Sequence, residues 1–280
     1  MTEKRSFPKT KEIKRRAREL LGQKNIILKL IFAAAICWAT NMAVDIAEAC
    51  VYYTALYFGA LDLASASQLL ILNLAFELVA LFCVSAQAMG TFRLARLLTE
   101  DKDARLTEMF YYWRGARRYF RSLLGFLIIA APVKLFLLAF EWILRDVLPM
   151  IYLNDPTVFS MIIYFFALVG ALLAGFLLGA LLLLPYSLIF SAAALLVRYE
   201  EKSIGACIKQ SAGATRAHLV QIFEFRSSFL PLILLSFVTV GVLLVIYTVP
   251  YMLVSYFYYN AALFEDEISA ADMEVTFDER

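Results

Sequence analysis

Long apolar tracts that carry no charge constrain the fold of this chain more than any other feature. The longest tract, Val158–Val197, runs for 40 residues without Asp, Glu, Lys or Arg. A helix needs about 20 residues to cross about 30 Å of hydrocarbon, and lipid offers an unpaired backbone no hydrogen-bond partners. Such tracts therefore predict membrane-spanning helices. The others run over Ile26–Ala49, 69–92, Ser122–Ile143 and from Ile222, uncharged after Arg226, to Phe264.

The composition excludes several classes of protein. Of the 280 residues, 62% are hydrophobic and 18% charged, and the mean hydropathy is +0.73. A soluble domain is nearer to about 45–50% apolar and about 25% charged. A soluble enzyme, a disordered chain and a secreted disulfide scaffold are therefore excluded. The prediction is an all-α polytopic membrane helix bundle spanning residues 26–264.

The positions of the cations predict the orientation of the bundle. Twenty-two of the 26 Lys and Arg residues fall in three segments, 1–25, 93–121 and 198–226. Cytoplasmic loops carry such an excess of Lys and Arg. We therefore expect the N-terminus and both basic loops in the cytoplasm. We also expect Val158–Val197 to form one tilted span that continues into the cytoplasm, because two crossings would place segment 198–226 outside.

The number of helices depends on the last apolar region. As one span it gives five transmembrane helices, and as a hairpin with Gly241 near its apex it gives six. The acidic tail, residues 265–280, lacks Lys and favours the outside only weakly, since acids carry little topological weight. Proline removes a backbone hydrogen bond and clashes with the preceding turn, so we expect helix kinks at Pro185 and Pro250.

Short motifs are spread over nearly the whole chain. They are Lys11-Glu12-Ile13-Lys14, Gly90 with Arg93, Leu106 and Phe110, Leu182-Leu183-Leu184-Pro185, Ser211, Phe223 through Ser228-Phe229, Pro250-Tyr251 and Phe257-Tyr258. Together they resemble a bacterial family of polytopic membrane proteins catalogued as domain of unknown function nine-seven-five. The resemblance implies six helices in the bacterial plasma membrane, with the last region as a hairpin. It implies no activity and no catalytic residues, and Tyr186 departs from the family's Pro-Gly.

Polar side chains inside the apolar tracts are the candidate functional residues. Opposite charges at one depth on sequence-adjacent helices favour a buried ion pair between Glu77 and Lys134, because a lone charge in hydrocarbon is costly. Such a cluster has two possible roles: it binds a substrate or proton, or its polar contacts between helices fix the helix register. We favour the structural role. The predicted pocket, open to the outside, comprises Asn41, Asp45, Asn73, Glu77 and Lys134, with Cys37, Asn41, Asp45 and Glu48 on one stripe of the first helix.

Two further patterns concern contacts with neighbours. Ala171, Gly175 and Gly179 recur every fourth residue and let another helix approach closely, within the bundle or from a second copy, and we favour internal packing. As a helix, the segment Thr10–Gly22 would have cations on one face and apolar residues on the other. It predicts a basic amphipathic helix at the anionic inner leaflet, with lipid rather than nucleic acid as the partner.

Motifs for catalysis or cofactors are missing from the sequence. His218 is the only histidine, the four cysteines have no metal-ligand spacing, and neither a P-loop nor GxGxxG occurs. We therefore expect a non-enzymatic membrane protein without a cofactor or metal, which acts through lipid contact or membrane assembly with itself or a partner. The alternatives are a small secondary transporter that uses the polar pocket and, with least support, a lipid-modifying enzyme.

Overall fold

The computed structural model describes residues 10–59, 66–100, 103–144, 158–189, 191–216, 218–239 and 242–264, and this part of the chain contains helices and no strand. A 3₁₀ helix spans Leu106–Arg114 and a π-helical segment spans Leu244–Thr248. The ten α-helices are α1 Thr10–Leu21, α2 Lys24–Tyr57, α3 Ala66–Thr99, α4 Ala116–Trp142, α5 Val158–Leu188, α6 Ala192–Arg198, α7 Ile204–Arg216, α8 Leu219–Ser227, α9 Leu230–Val238 and α10 Val249–Leu263.

Three stretches of helix are long and apolar enough to cross a membrane. They are Asn25–Tyr57, Ile71–Thr99 and Leu219–Ser236, the last formed by α8 and α9 together, and Phe159–Gly175 is a shorter apolar stretch. The prediction of an all-α chain is therefore confirmed for the described residues, and three helical stretches have the length and composition that a membrane span needs. The acidic tail, residues 265–280, lies outside the described residues.

The two longest helices, α2 and α3, form an antiparallel pair. The Cys37 thiol and the Thr91 hydroxyl lie 3.5 Å apart, and the Lys29 ammonium is 3.1 Å from the Asp103 carboxylate. Each helix has 34 residues and is therefore about 51 Å long, well beyond the thickness of the hydrocarbon core. One end of the pair is buried, at Leu30 and Leu94, whereas the other end is exposed.

The main core surrounds the buried end of this pair. Helix α1 buries Ile13, Ala17, Leu20 and Leu21, the apolar side expected from its sequence, and its arginines are exposed. It lies along α10, whose residues are buried on nearly every face. The rings of Phe92 and Tyr256 meet edge to face, 5.7 Å between centroids, and so join α3 to α10. The C-terminal apolar region thus supplies the central helix of the core.

The tract Val158–Val197 does not form one continuous helix, because α5 ends at Leu188 and a second helix, α6, begins at Ala192. The single crossing expected for this tract stays a prediction. Residues from distant helices satisfy the ends of α6. The Ala194 N–H donates to the Tyr256 hydroxyl, 3.1 Å, and Arg96 donates to the Val197 carbonyl, 2.8 Å. Free backbone groups at helix ends need such partners when they are buried. Pro185 lies within the last turn of α5.

The chain reverses direction after α9. The hydroxyls of Ser236 and Thr248 lie 2.9 Å apart, although 12 residues of continuous helix would separate them by about 18 Å. Gly241, expected near the apex of the hairpin, lies outside the described residues. Pro250 is the second residue of α10, which begins at Val249 directly after the π-helical segment. Its ring would clash with the carbonyl of Ile246 in a regular α-helix, which gives a physical reason for the wider turn there.

Candidate functional site

The polar residues predicted to form an intramembrane pocket lie on α2, α3 and α4. Asn41 and Asp45 are exposed on α2, and Asn73 and Glu77 are half-buried on α3. Lys134 belongs to α4, but its side chain lies outside the part that the structure describes. The ion pair between Glu77 and Lys134 therefore stays a prediction.

The structure brings acids of α2 and α3 together. Glu48, on the same stripe as Asp45, lies within electrostatic range of both Asp45 and Glu77. The expected stripe of α2 thus faces α3 in part, at Glu48, while Asp45 remains exposed. Within the described ranges, no three His, Cys, Asp or Glu side chains lie close enough to hold a metal ion.

The small residues of α5 face the aromatic side chains of α4. A Cβ atom at Gly175 would meet the Phe140 ring, and one at Gly179 would lie 3.5 Å from the Phe136 ring. The Phe136 and Phe140 rings are themselves parallel, with centroids 6.1 Å apart. Ala171 is half-buried one turn further from them. The two glycines therefore provide room for phenylalanine rings.

A large apolar cavity lies where these two helices meet the C-terminal half of the chain. Its volume is about 710 Å³, within the range of about 300–1,000 Å³ typical of ligand pockets. Six α-helices and the end of α3 contribute to its wall. The described lining residues are Phe92, Ile129, Phe136, Gly175, Gly179, Ala193, Phe223, Phe225, Arg226, Ser227, Phe229, Leu230, Ile233, Val249, Met252, Leu253 and Tyr256.

The cavity has a buried apolar interior and a more exposed edge. Phe225 and Phe229 are buried in its wall, whereas Phe223 and Leu230 are 42% and 41% exposed. Arg226 is half-buried and is the one charged side chain among the described lining residues. Such a wall accommodates a hydrocarbon chain and places a cation beside it.

Sequence reasoning missed this cavity because its wall comes from helices far apart in the chain. The one local signal is the aromatic spacing of Phe223 and Phe225 in α8 and Phe229 in the turn between α8 and α9. Two of these rings pack against each other, since the centroids of Phe225 and Phe229 lie 5.2 Å apart.

Ion pairs between arginine and glutamate side chains link the two basic segments, 93–121 and 198–226. The Arg93 guanidinium lies 3.1 Å from the Glu108 carboxylate and 2.5 Å from that of Glu200, and it stacks 3.6 Å from the centre of the Tyr111 ring. The Tyr111 hydroxyl donates to Glu200, 2.6 Å. Burial raises the pKa of the neighbouring Tyr112 to about 12, so this side chain stays neutral under ordinary conditions. The network closes the cationic end of the bundle.

Comparisons of the chain with family models, curated proteins and solved structures found no match.

Proposed function

We propose that this chain is a non-enzymatic, multi-pass protein of the bacterial plasma membrane that binds the hydrocarbon part of a membrane lipid. The observation that carries the proposal is the apolar cavity of about 710 Å³ between α4, α5, α6 and the helices α8 to α10. Lipid is the most abundant apolar ligand around membrane helices. Arg226 would lie near a negative head group. Assembly with a second copy or a partner protein remains part of the proposal.

The proposed topology has four complete crossings, α2, α3, α4 and α5, with both basic loops in the cytoplasm, and so fewer than the five or six that the sequence leaves open. The stretch Leu219–Ser236 is long enough to cross, but in this topology only its α9 part enters the membrane. The hairpin of α9 and α10 would enter from the cytoplasmic side without crossing. Its two ends support this, because Ser228 and Tyr251 both lie beside Lys14 of α1. The 12 residues from Ser228 to the reversal give about 18 Å of helix, less than the hydrocarbon core. A hairpin returns the C-terminus to the side of the N-terminus.

Filling the cavity tests the lipid-binding proposal. Ile233→Trp replaces a side chain of the cavity wall with a larger one, which fills part of the cavity. Leu234→Trp introduces the same indole ring at a neighbouring position that is 57% exposed and does not line the cavity. We expect the Ile233 variant to retain fewer phospholipid molecules through purification in a neutral detergent, as counted by native mass spectrometry. The Leu234 variant should match the wild type. Equal retention in both variants, with both folded, would contradict the proposal.

A second candidate function is proton- or cation-coupled transport. It is favoured by the electrostatic proximity of Asp45, Glu48 and Glu77, because intramembrane acids commonly mark ion pathways. If this candidate is right, proteoliposomes take up protons under an imposed membrane potential and Glu77→Gln abolishes the uptake. Glu19→Gln, on the surface of α1, is the matched control. A wild-type protein without solute or proton flux would exclude this function.

A further inference from the structure

A second cleft, of about 330 Å³, separates α1 from the hairpin formed by α9 and α10. One wall carries two cations of α1, and the other wall is largely apolar. The described lining residues are Lys14, Arg18, Ser228, Phe229, Pro231, Leu232, Leu235, Tyr247 and Tyr251. The cleft is distinct from the larger cavity, since Leu230 and Ile233 of α9 face the cavity whereas Pro231 and Leu235 face the cleft.

The two cations in the cleft differ from their neighbours on the same helix. Arg15 is 3.5 Å from the Glu19 carboxylate, and Arg16 is 2.7 Å from that of Glu12. Lys14 and Arg18, in contrast, have no carboxylate within ion-pair distance among the described residues. They lie one turn apart and repel each other. Burial and then the charge of Arg18 lower the pKa of Lys14 below its ordinary value.

The position of Lys14 is fixed by the hairpin. Its ammonium donates to the Ser228 carbonyl, 2.8 Å, and lies 4.1 Å from the centre of the Phe229 ring. A lysine ammonium has three N–H donors, so donors remain for an anion. The Tyr251 hydroxyl donates to the backbone carbonyl of Lys14, 3.5 Å, and its oxygen also interacts with the Arg18 side chain. The Lys14 and Arg18 side chains and the Tyr251 hydroxyl thus line the same cleft.

The apolar wall leads away from these donors along the hairpin. Leu232 and Tyr247 are partly buried there, and Leu235 is 51% exposed. Two unneutralised cations beside an apolar strip match the two parts of a phospholipid, a negative head group and a hydrocarbon chain. Basic clusters at the cytoplasmic surface commonly bind anionic lipids.

We infer that this cleft binds an anionic phospholipid of the inner leaflet, with its phosphate between Lys14 and Arg18 and an acyl chain against Leu232 and Leu235. The inference goes beyond the lipid of the larger cavity, because it assigns a head-group charge and, apart from Phe229, which lines both, separate residues. It rests on the same placement of the chain in a membrane. It does not depend on whether the larger cavity is occupied.

A charge-matched pair of double variants tests the site. Lys14→Gln with Arg18→Gln removes the two cleft cations, and Arg15→Gln with Arg16→Gln removes two cations from the outer face of the same helix. Each protein is titrated in neutral detergent with phosphatidylglycerol or phosphatidylcholine of identical acyl chains, and binding is read by native mass spectrometry. We expect the cleft variant to bind phosphatidylglycerol about 30-fold more weakly, with little change in the control.

Further arms separate the possible outcomes. Leu235→Asp adds a negative charge to the apolar strip without touching Lys14 and should also weaken phosphatidylglycerol binding, whereas Leu234→Asp should not. Equal losses in both double variants would overturn the site, because they would indicate general surface charge. Competition by inorganic phosphate as strong as by lipid would overturn the assignment to a phospholipid. Ile233→Trp should leave head-group selectivity unchanged, so failure here is distinguishable from failure of the cavity proposal.

Discussion

At the scale of single residues, Gly90 is the one among the described glycines where the packing leaves least room for a side chain. It is buried on α3 against the backbone of the 3₁₀ helix, and a Cβ atom there would overlap the Met109 carbonyl. The obstacle is backbone, which moves less readily than the end of a side chain. Glycine at this position therefore lets α3 and the 3₁₀ helix touch directly.

Gly90→Ala should consequently lower the free energy of unfolding in detergent by about 1–3 kcal/mol, the usual cost of overpacking. Gly170→Ala is the control, because a Cβ atom there meets nothing within 4 Å and alanine favours the helix by up to about 1 kcal/mol. Chemical or thermal unfolding of the purified proteins measures both effects. A Gly90 variant as stable as the wild type would show that the two helices do not approach this closely.

Arg93 illustrates what the sequence could not reveal at this scale. The distribution of Lys and Arg predicts which loops are cytoplasmic, but it does not distinguish a cation that contacts lipid from one that pairs with an acid of the protein. The acids that neutralise Arg93 are Glu108 and Glu200, 15 and 107 residues away along the chain. The rule that predicts orientation counts Lys and Arg and gives acids little weight, so counting the cations could not reveal this network.

At the scale of helices, local periodicity was informative where one face is buried. The apolar residues of α1 predicted its buried side because they repeat with the helical period. The tract Val158–Val197 was uninformative in the same respect, since it is apolar on every side. Its division into α5 and α6 depends on Tyr256 and Arg96, which reach the ends of α6 from other helices.

Tyr256→Phe tests this explanation of α6. The variant removes the hydroxyl that accepts the buried Ala194 N–H, and an unsatisfied buried donor costs about 1–3 kcal/mol. We expect the free energy of unfolding to fall by that amount. Tyr53→Phe, at a position 67% exposed on α2, should change it by less than about 0.5 kcal/mol. Equal stability of the two variants would contradict the role given to Tyr256.

At the scale of the whole molecule, the proposed topology predicts which positions a reagent can reach. With the four cysteines replaced, a single cysteine is introduced by Tyr57→Cys at the end of α2 or by Thr107→Cys in the first basic loop; both native side chains are exposed. A membrane-impermeant maleimide should label the first variant in intact cells and the second only after the membrane is permeabilised. The reverse pattern would invert the proposed orientation.

The larger cavity is the feature that depends most on the whole molecule. The sequence predicted apolar helices and identified Gly175 and Gly179 as positions of close approach. It could not predict that these glycines and the rings of α8 to α10 would enclose space, because hydropathy does not specify which apolar faces meet. Long-range packing, rather than any motif, therefore creates the site on which the function is proposed.

The central position of α10 has a consequence for how this protein is made. A ribosome completes α10 only after every helix that packs around it, so α1 leaves the tunnel before its main partner exists, and the buried ends of α2 and α3 leave before the helix that covers them. Until α10 is synthesised, the apolar surfaces of the earlier helices that pack against it remain exposed at the insertion machinery. Assembly of the core is then a late event, and nascent chains released before α10 would be substrates for quality-control proteases.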